Sequence, residues 1–211
     1  MSDPGRSAPL RIAVLASGHG SNLQALIEAI AAGRLAATVS VLVTDRPEAH
    51  AVVRARRAAI PVEILPAGHD RVHDGALLMA MLQRYDIALV CLAGFMRMLA
   101  GNVVAAYHGR MMNIHPALLP QFPGLHAIRQ ALAAAVPETG VTVHFVDEGM
   151  DTGPVILQQR VPILPGDTEA SLTDRIHAVE HRLYPQAVQW FAEHRLTLED
   201  RTVRIAPHTT A

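Results

Sequence analysis

Five short apolar runs, set apart by longer stretches of helical periodicity, limit the folds open to this chain more than any other feature. The runs IAVLA (12–16), VSVLVT (39–44), VEIL (62–65), IALVCLA (87–93) and MMNI (111–114) have the length and apolar content of buried strands. Helical patterns over 22–32, 49–59 and 74–84 separate the first four. This alternation predicts an α/β fold with an open, mainly parallel, Rossmann-like sheet and helices on both of its faces. Such sheets bind ligands at the carboxyl ends of their strands.

The rhythm changes after Met111. A helical pattern over 126–135 leads to two β-rich runs, 141–146 and 155–161, joined by a short glycine-containing link. They predict antiparallel strands on the later edge of the sheet. A last helical region, 169–193, contains Pro185, whose missing N–H predicts a break or bend. A short strand and a polar tail are expected from Leu196 onward. No repeat or low-complexity linker divides the 211 residues. The expected organisation is therefore an amino-terminal tail over 1–9, one domain over 10–198 and a carboxyl-terminal tail over 199–211.

Composition narrows the chemistry. All 18 basic side chains other than histidine are Arg, and there is no Lys at all. That excludes a Schiff-base lysine, the phosphate-loop lysine of nucleotide hydrolases and the strand lysine of kinases. The formal net charge of −1 comes from interspersed charges, so neither nucleic acid nor a membrane surface is an expected partner. The single cysteine, Cys91, sits inside an apolar run and has no partner for an internal disulfide, which fits a reducing cytoplasm. No apolar stretch approaches the roughly 18 residues that a membrane span needs.

SGHGSN (17–22) stands between the first strand and the first helix, where a dinucleotide fold carries its glycine-rich phosphate turn. The third glycine of that pattern is replaced by Asn22, so the turn suits an anion but not the dinucleotide motif. In MMNIHPALLPQFPG (111–124), Asn113 and His115 are two residues apart on a predicted strand. They project from one face, roughly 7 Å apart, at the carboxyl edge of the sheet. Both could equally be strand-end groups satisfying nearby backbone. Asp151, in HFVDEGMDTGPVI, is either a turn residue or a carboxylate carried back to His115. In the second case it would raise the imidazole pKa by stabilising the cation. An amide donor, a proton carrier and a carboxylate suit acyl transfer to an amine and need no Ser or Cys nucleophile.

SGHGSNLQAL, LAGFMRML, NIHPALLPQFPGLHA, VHFVDEGMDTGPVILQ and EHRLYP together resemble the folate-dependent formyltransferase family, in its phosphoribosylglycinamide branch, from about Leu10 to Leu198. The resemblance implies transfer of a formyl group from 10-formyltetrahydrofolate, a co-substrate, to the amine of glycinamide ribonucleotide in purine biosynthesis. Asn113 would donate to the formyl oxygen, His115 would deliver a proton and Asp151 would tune His115. Gly20, Ser21 and Asn22 match the substrate-phosphate loop, and Glu180 matches a substrate-contacting carboxylate. Met96, Arg97, Met98 and Leu99 match the wall of the pterin pocket, with Asn113 also facing the folate, and Arg71 matches a position near the folate tail. Read without the resemblance, Met96, Met98 and Leu99 are equally core, Arg71 a solvated helix start and Glu180 an exposed helix charge.

The chain departs from the family in having His19 where relatives often carry Asn, and QFPG in place of Lys-Tyr-Pro-Gly. Without Lys, the phosphate must rely on backbone N–H groups, Arg, or His177 one turn before Glu180. His69 with His73, and His177 with His181, have four-residue spacing, but neither pair forms His-Glu-x-x-His and no metal is expected. Family branches that act on methionyl-tRNA or hydrolyse the formyl folate ordinarily carry an additional domain, which a chain of this length does not accommodate. The expected state is a monomer or homodimer.

Overall fold

A computed structural model describes residues 8–66 and 70–207. Strands β1 (Leu10–Leu15), β2 (Ala37–Thr44), β3 (Val62–Ile64), β4 (Leu89–Leu92), β5 (Met111–His115), β6 (Glu138–Phe145) and β7 (Val155–Pro162) form one sheet in the order β3-β2-β1-β4-β5-β6-β7. Pairing is parallel from β3 through β5 and antiparallel from β5 through β7. The mainly parallel sheet with antiparallel later strands therefore matches the expectation from the sequence. Helices α1 (Ser21–Ala31), α2 (His50–Arg57), α3 (Arg71–Arg84), α4 (Gly101–Ala106), α5 (Ala127–Ala133) and α6 (Glu169–Ala192) complete the layers.

Period-two alternation explains how both faces are covered. Ile12 and Val14 of β1 join a core with Leu23 and Leu26 of α1 and Ile176 and Leu183 of α6. Ala13 and Leu15 point the other way, into a second core with Leu78 and Leu82 of α3 and Val103 of α4. Tyr184, fully buried, places its hydroxyl 2.7 Å from the Leu92 carbonyl and 3.1 Å from that of Met112, between the ends of β4 and β5.

Three features differ from the sequence reading. Periodicity does not predict α4, because six residues are too short for it to register. Of the break or bend expected at Pro185, the break does not occur: α6 is one continuous helix with Pro185 inside it. Beyond Leu198, where a polar tail is expected, Thr202–Ile205 forms β9, which pairs with β8 (Leu196–Glu199) in a separate two-stranded sheet. Residues 1–7 of the expected amino-terminal tail, and His69 of the first histidine pair, lie outside the described residues.

Strand order reverses between β1 and β4, and the loops leaving these strands lie side by side. Ser17 N donates to the Gly94 carbonyl at 3.0 Å, and Ser17 Oγ accepts from Met96 N at 2.9 Å while donating to Asp45 at 2.6 Å. The expected phosphate turn and the expected pterin loop are thereby fastened together at the switch point, where α/β sheets bind ligands.

Candidate active site

Asn113 and His115 leave the same face of β5, as their spacing requires, and the 146–154 link brings Asp151 onto them. His115 Nδ1 lies 3.3 Å from Asp151 Oδ2, and Asn113 Nδ2 donates to Asp151 Oδ1 at 3.2 Å. The cluster is nearly sealed, with the His115 side chain 6% and the Asp151 side chain 13% exposed. Asp151 adopts a left-handed backbone (φ 54°), which points the carboxylate inward and which Asp tolerates better than most residues. Gly149 and Gly153 make the tight link possible. A Cβ on Gly149 would lie 2.0 Å from Thr152 Oγ1, and one on Gly153 1.8 Å from the Phe145 carbonyl.

The segment after β5 closes the other side. Thr142 Oγ1 donates to the Ala117 carbonyl at 2.6 Å and accepts from Leu119 N at 3.1 Å, fixing the start of the loop. The loop then places the Phe122 carbonyl 2.8 Å from His115 Nε2 and the Gly124 N–H 2.8 Å from Asp151 Oδ2. Its LLPQFPG sequence thus supplies backbone groups to the cluster, and the side chains that distinguish QFPG from the family pattern are not those contacts.

His144 is a member that sequence reasoning missed. It faces Asn113 across the β5–β6 ladder, with Nε2 3.2 Å from Asn113 Nδ2 and 3.6 Å from Asp151 Oδ1. The carbonyl of Phe145, 2.8 Å from His144 Nδ1, only accepts. It therefore keeps a proton on Nδ1, while Nε2 stands between the Asn113 amide and the Asp151 carboxylate. The signal available was its strand-mate register with Asn113, which no local pattern reveals.

At His115 two influences oppose one another. Asp151 does pull the His115 pKa upward, but burial is the larger influence and the net direction is below the ordinary value. The Phe122 carbonyl also pulls upward and His144 pushes down. The carboxylate therefore opposes the cost of charging the buried imidazole without overcoming it. Burial alone would raise the Asp151 pKa. The hydrogen bond from His144, the Gly124 amide and the charge of His115 outweigh it and hold the carboxyl at about 2.

Gly20, Ser21 and Asn22, the expected phosphate turn, stand at the start of α1. Gly20 caps α1 in a left-handed conformation (φ 73°), and a Cβ there would come within 2.8 Å of Ala51 Cα, so only glycine fits. α1 has no side-chain cap and no acidic residue in its first turn, leaving the amides of Ser21 and Asn22 at a positive helix end. Arg54, which the sequence reading does not single out, donates from Nε to the His19 carbonyl at 3.0 Å and provides a fixed cation beside the turn. The His19 and His50 rings stack at 4.9 Å, and those of His177 and His181 at 5.8 Å. His19, His177 and His181 are each pushed below the ordinary imidazole value, chiefly by burial. Among the described residues, no group of three or more His, Cys, Asp or Glu could hold a metal ion.

Glu180 is 5% exposed and accepts from Asn22 Nδ2 at 2.9 Å, which excludes an exposed helix charge. Burial pushes its carboxyl up to about 7, against the opposing pull of the Asn22 hydrogen bond. Asn22 Oδ1 is buried with no hydrogen-bond partner among the described residues. A buried amide oxygen and a carboxyl poised between two protonation states suit recognition of hydroxyl groups.

The expected folate residues divide. Met96 and Met98 are about half exposed on the loop after β4. Arg97 turns inward, pairing with Asp74 and donating to the Pro66 carbonyl at 3.2 Å. Arg71 begins α3 on the surface and shares a cleft with Arg97, Met98 and Leu99. That cleft encloses only about 10 Å³, so it is not a preformed slot for a fused ring. A larger groove of about 640 Å³, between Leu118 and Arg160, contains none of the predicted residues.

The family profile described as "Formyl transferase" matches residues 10–188, spanning the phosphate turn, β5 and the Asp151 link. The chain belongs to the formyl transferase family. Phosphoribosylglycinamide formyltransferase of Escherichia coli is 42% identical over 193 residues, covering 90% of this chain and 91% of that protein. The trifunctional purine biosynthetic protein adenosine-3 of Drosophila melanogaster is 48% identical over 183 residues, and the match spans 84% of this chain and 14% of the fly protein. Among solved structures, glycinamide ribonucleotide transformylase 1 from Symbiobacterium toebii superposes with a TM-score of 0.94 at 46% identity, covering 98% of this chain and 99% of that one. The match therefore takes in both the Asn113–His115–Asp151 cluster and the turn that opens α1. No helix among the described residues is long and apolar enough to cross a membrane.

Proposed function

We propose that this chain transfers the formyl group of 10-formyltetrahydrofolate to the amine of glycinamide ribonucleotide, giving formylglycinamide ribonucleotide and tetrahydrofolate in cytoplasmic purine biosynthesis. The observation that carries this reading is the meeting of Asn113 and His115 on the Asp151 carboxylate, each with a polar atom within 3.3 Å of it. The ribonucleotide phosphate binds the amides of Ser21 and Asn22 at the α1 terminus, with Arg54 supplying charge. Glu180 and the Asn22 side chain take the ribose hydroxyls. The folate lies against the exposed Met96 and Met98 thioethers, with Arg71 near its acidic tail.

The attacking amine forms a bond to the formyl carbon, whose carbonyl electron pair moves onto oxygen. Asn113 donates to that oxyanion, and such donors act more strongly in the transition state than in the planar ground state. A neutral His115 accepts the proton that the attacking nitrogen must lose and passes it to the departing folate nitrogen, while Asp151 stabilises the transient imidazolium. The contact between His115 Nε2 and the Phe122 carbonyl must open for that nitrogen to take part.

The test is to mix the protein with both substrates and follow tetrahydrofolate release with and without glycinamide ribonucleotide. Release that depends on the amine is expected. Equal release in its absence would replace transfer with hydrolysis.

A further inference from the structure

The carboxyl-terminal hairpin has no part in the chemistry proposed above, yet its tip reaches the link that carries Asp151. Leu196, Leu198 and Val203 of the hairpin pack against the core. Its base is closed by Ala206 N donating to the Arg195 carbonyl at 2.8 Å and Arg195 Nε donating to the Ala206 carbonyl at 2.7 Å. The Arg195 guanidinium also covers the Trp190 ring at 5.5 Å. Arg201, in the two-residue turn, thus stands on an anchored arm.

From there Arg201 Nη1 pairs with Asp147 Oδ2 at 3.2 Å, and Nη2 donates to the Thr152 carbonyl. Asp147 and Thr152 lie at the two ends of the segment that contains Asp151. Asp147 Oδ1 gathers the same segment from within, accepting from Gly149 N at 3.1 Å and from Thr152 Oγ1 at 2.7 Å. Asp151 holds a left-handed backbone that a non-glycine residue keeps only when its surroundings enforce it.

We propose that Arg201 is a positioning residue: by clamping both ends of the 147–152 segment, it holds the Asp151 carboxylate at the distance where it acts on His115. One exposed ion pair would contribute little, and Arg201 is 67% exposed. The second bond, to a backbone carbonyl at the far end of the segment from Asp147, converts the contact into a two-point brace that Lys cannot reproduce. The inference rests on the formyl-transfer reading for its effect on rate.

The experiment compares Arg201→Ala and Arg201→Lys with the wild-type chain. Loss of the brace lets Asp151 withdraw, so the His115 pKa, followed by NMR without substrate, moves further down in Arg201→Ala. The turnover number falls by about two- to tenfold, the range for an exposed charge-assisted contact, and the KM for glycinamide ribonucleotide stays unchanged. Arg201→Lys recovers part of both changes. An unmoved His115 titration with unchanged turnover would overturn the proposal, as would a shift in urea midpoint alone. Absence of amine-dependent release in the wild type would sink the formyl-transfer reading, whereas the His115 titration, measured without substrate, would still decide whether Arg201 positions Asp151.

Discussion

Replacing Asp151 with Asn removes one charge from the centre of the cluster and little else. Asn keeps the size of the side chain, accepts a left-handed backbone readily and retains an oxygen for the Gly124 N–H, so a large effect would report the charge. The folded protein holds this carboxyl at about 2 against an ordinary 3.8. At roughly 1.4 kcal/mol per pKa unit, the ionised group contributes about 2 kcal/mol to stability. The side chain is 13% exposed, so solvent screening discounts this only slightly. A depressed folded-state pKa makes the contribution complete above about 3.8 and loses it as pH falls through about 2. Urea unfolding followed by Trp190, the single tryptophan, should show Asp151→Asn weaker by about 2 kcal/mol at pH 7. The gap should narrow below pH about 4. The same substitution should lower the His115 pKa in an NMR titration and reduce turnover by roughly a hundredfold or more. A stability gap that ignores pH, together with an unmoved His115 titration, would refute the coupling of the two residues.

Two further substitutions test the remaining groups. Asn113→Ala should leave a folded protein whose turnover is reduced by roughly a hundred- to a thousandfold, the usual loss of one oxyanion donor; near-normal steady-state rates would remove Asn113 from that role. Glu180 has a folded pKa raised from 4.5 to about 7, so the wild type loses stability as pH rises between those values, by up to about 3 kcal/mol. Glu180→Gln should abolish that slope in urea midpoints measured from about pH 4 to 8 and raise the KM for glycinamide ribonucleotide. A slope that persists in the variant would assign it elsewhere.

The parts of the site that were legible in the sequence are those fixed by local geometry. The two-residue spacing of Asn113 and His115 sets their common face wherever the strand goes, and the glycine before α1 marks a left-handed cap at a helix end. Asp151 was found by residue type and resemblance, not by geometry. His144 went unassigned because only the antiparallel register opposes it to Asn113. Arg54 escaped notice because its place beside the phosphate turn depends on how α2 packs against the loop after β1.

The sequence alone determined the α/β architecture, the position of the glycine turn before α1 and the face shared by Asn113 and His115, because periodicity and capping act over a few residues. Tertiary structure decided that a carboxylate 38 residues from Asn113 bonds to it, and that Asn22 meets a carboxyl 158 residues away. It also decided the direction of the His115 shift. A charge partner can be guessed from residue types, but desolvation depends on everything packed around the imidazole, and here burial outweighs the partner. The brace from Arg201 belongs to the same class, since a segment that reads as a polar tail acquires its role only from what it touches.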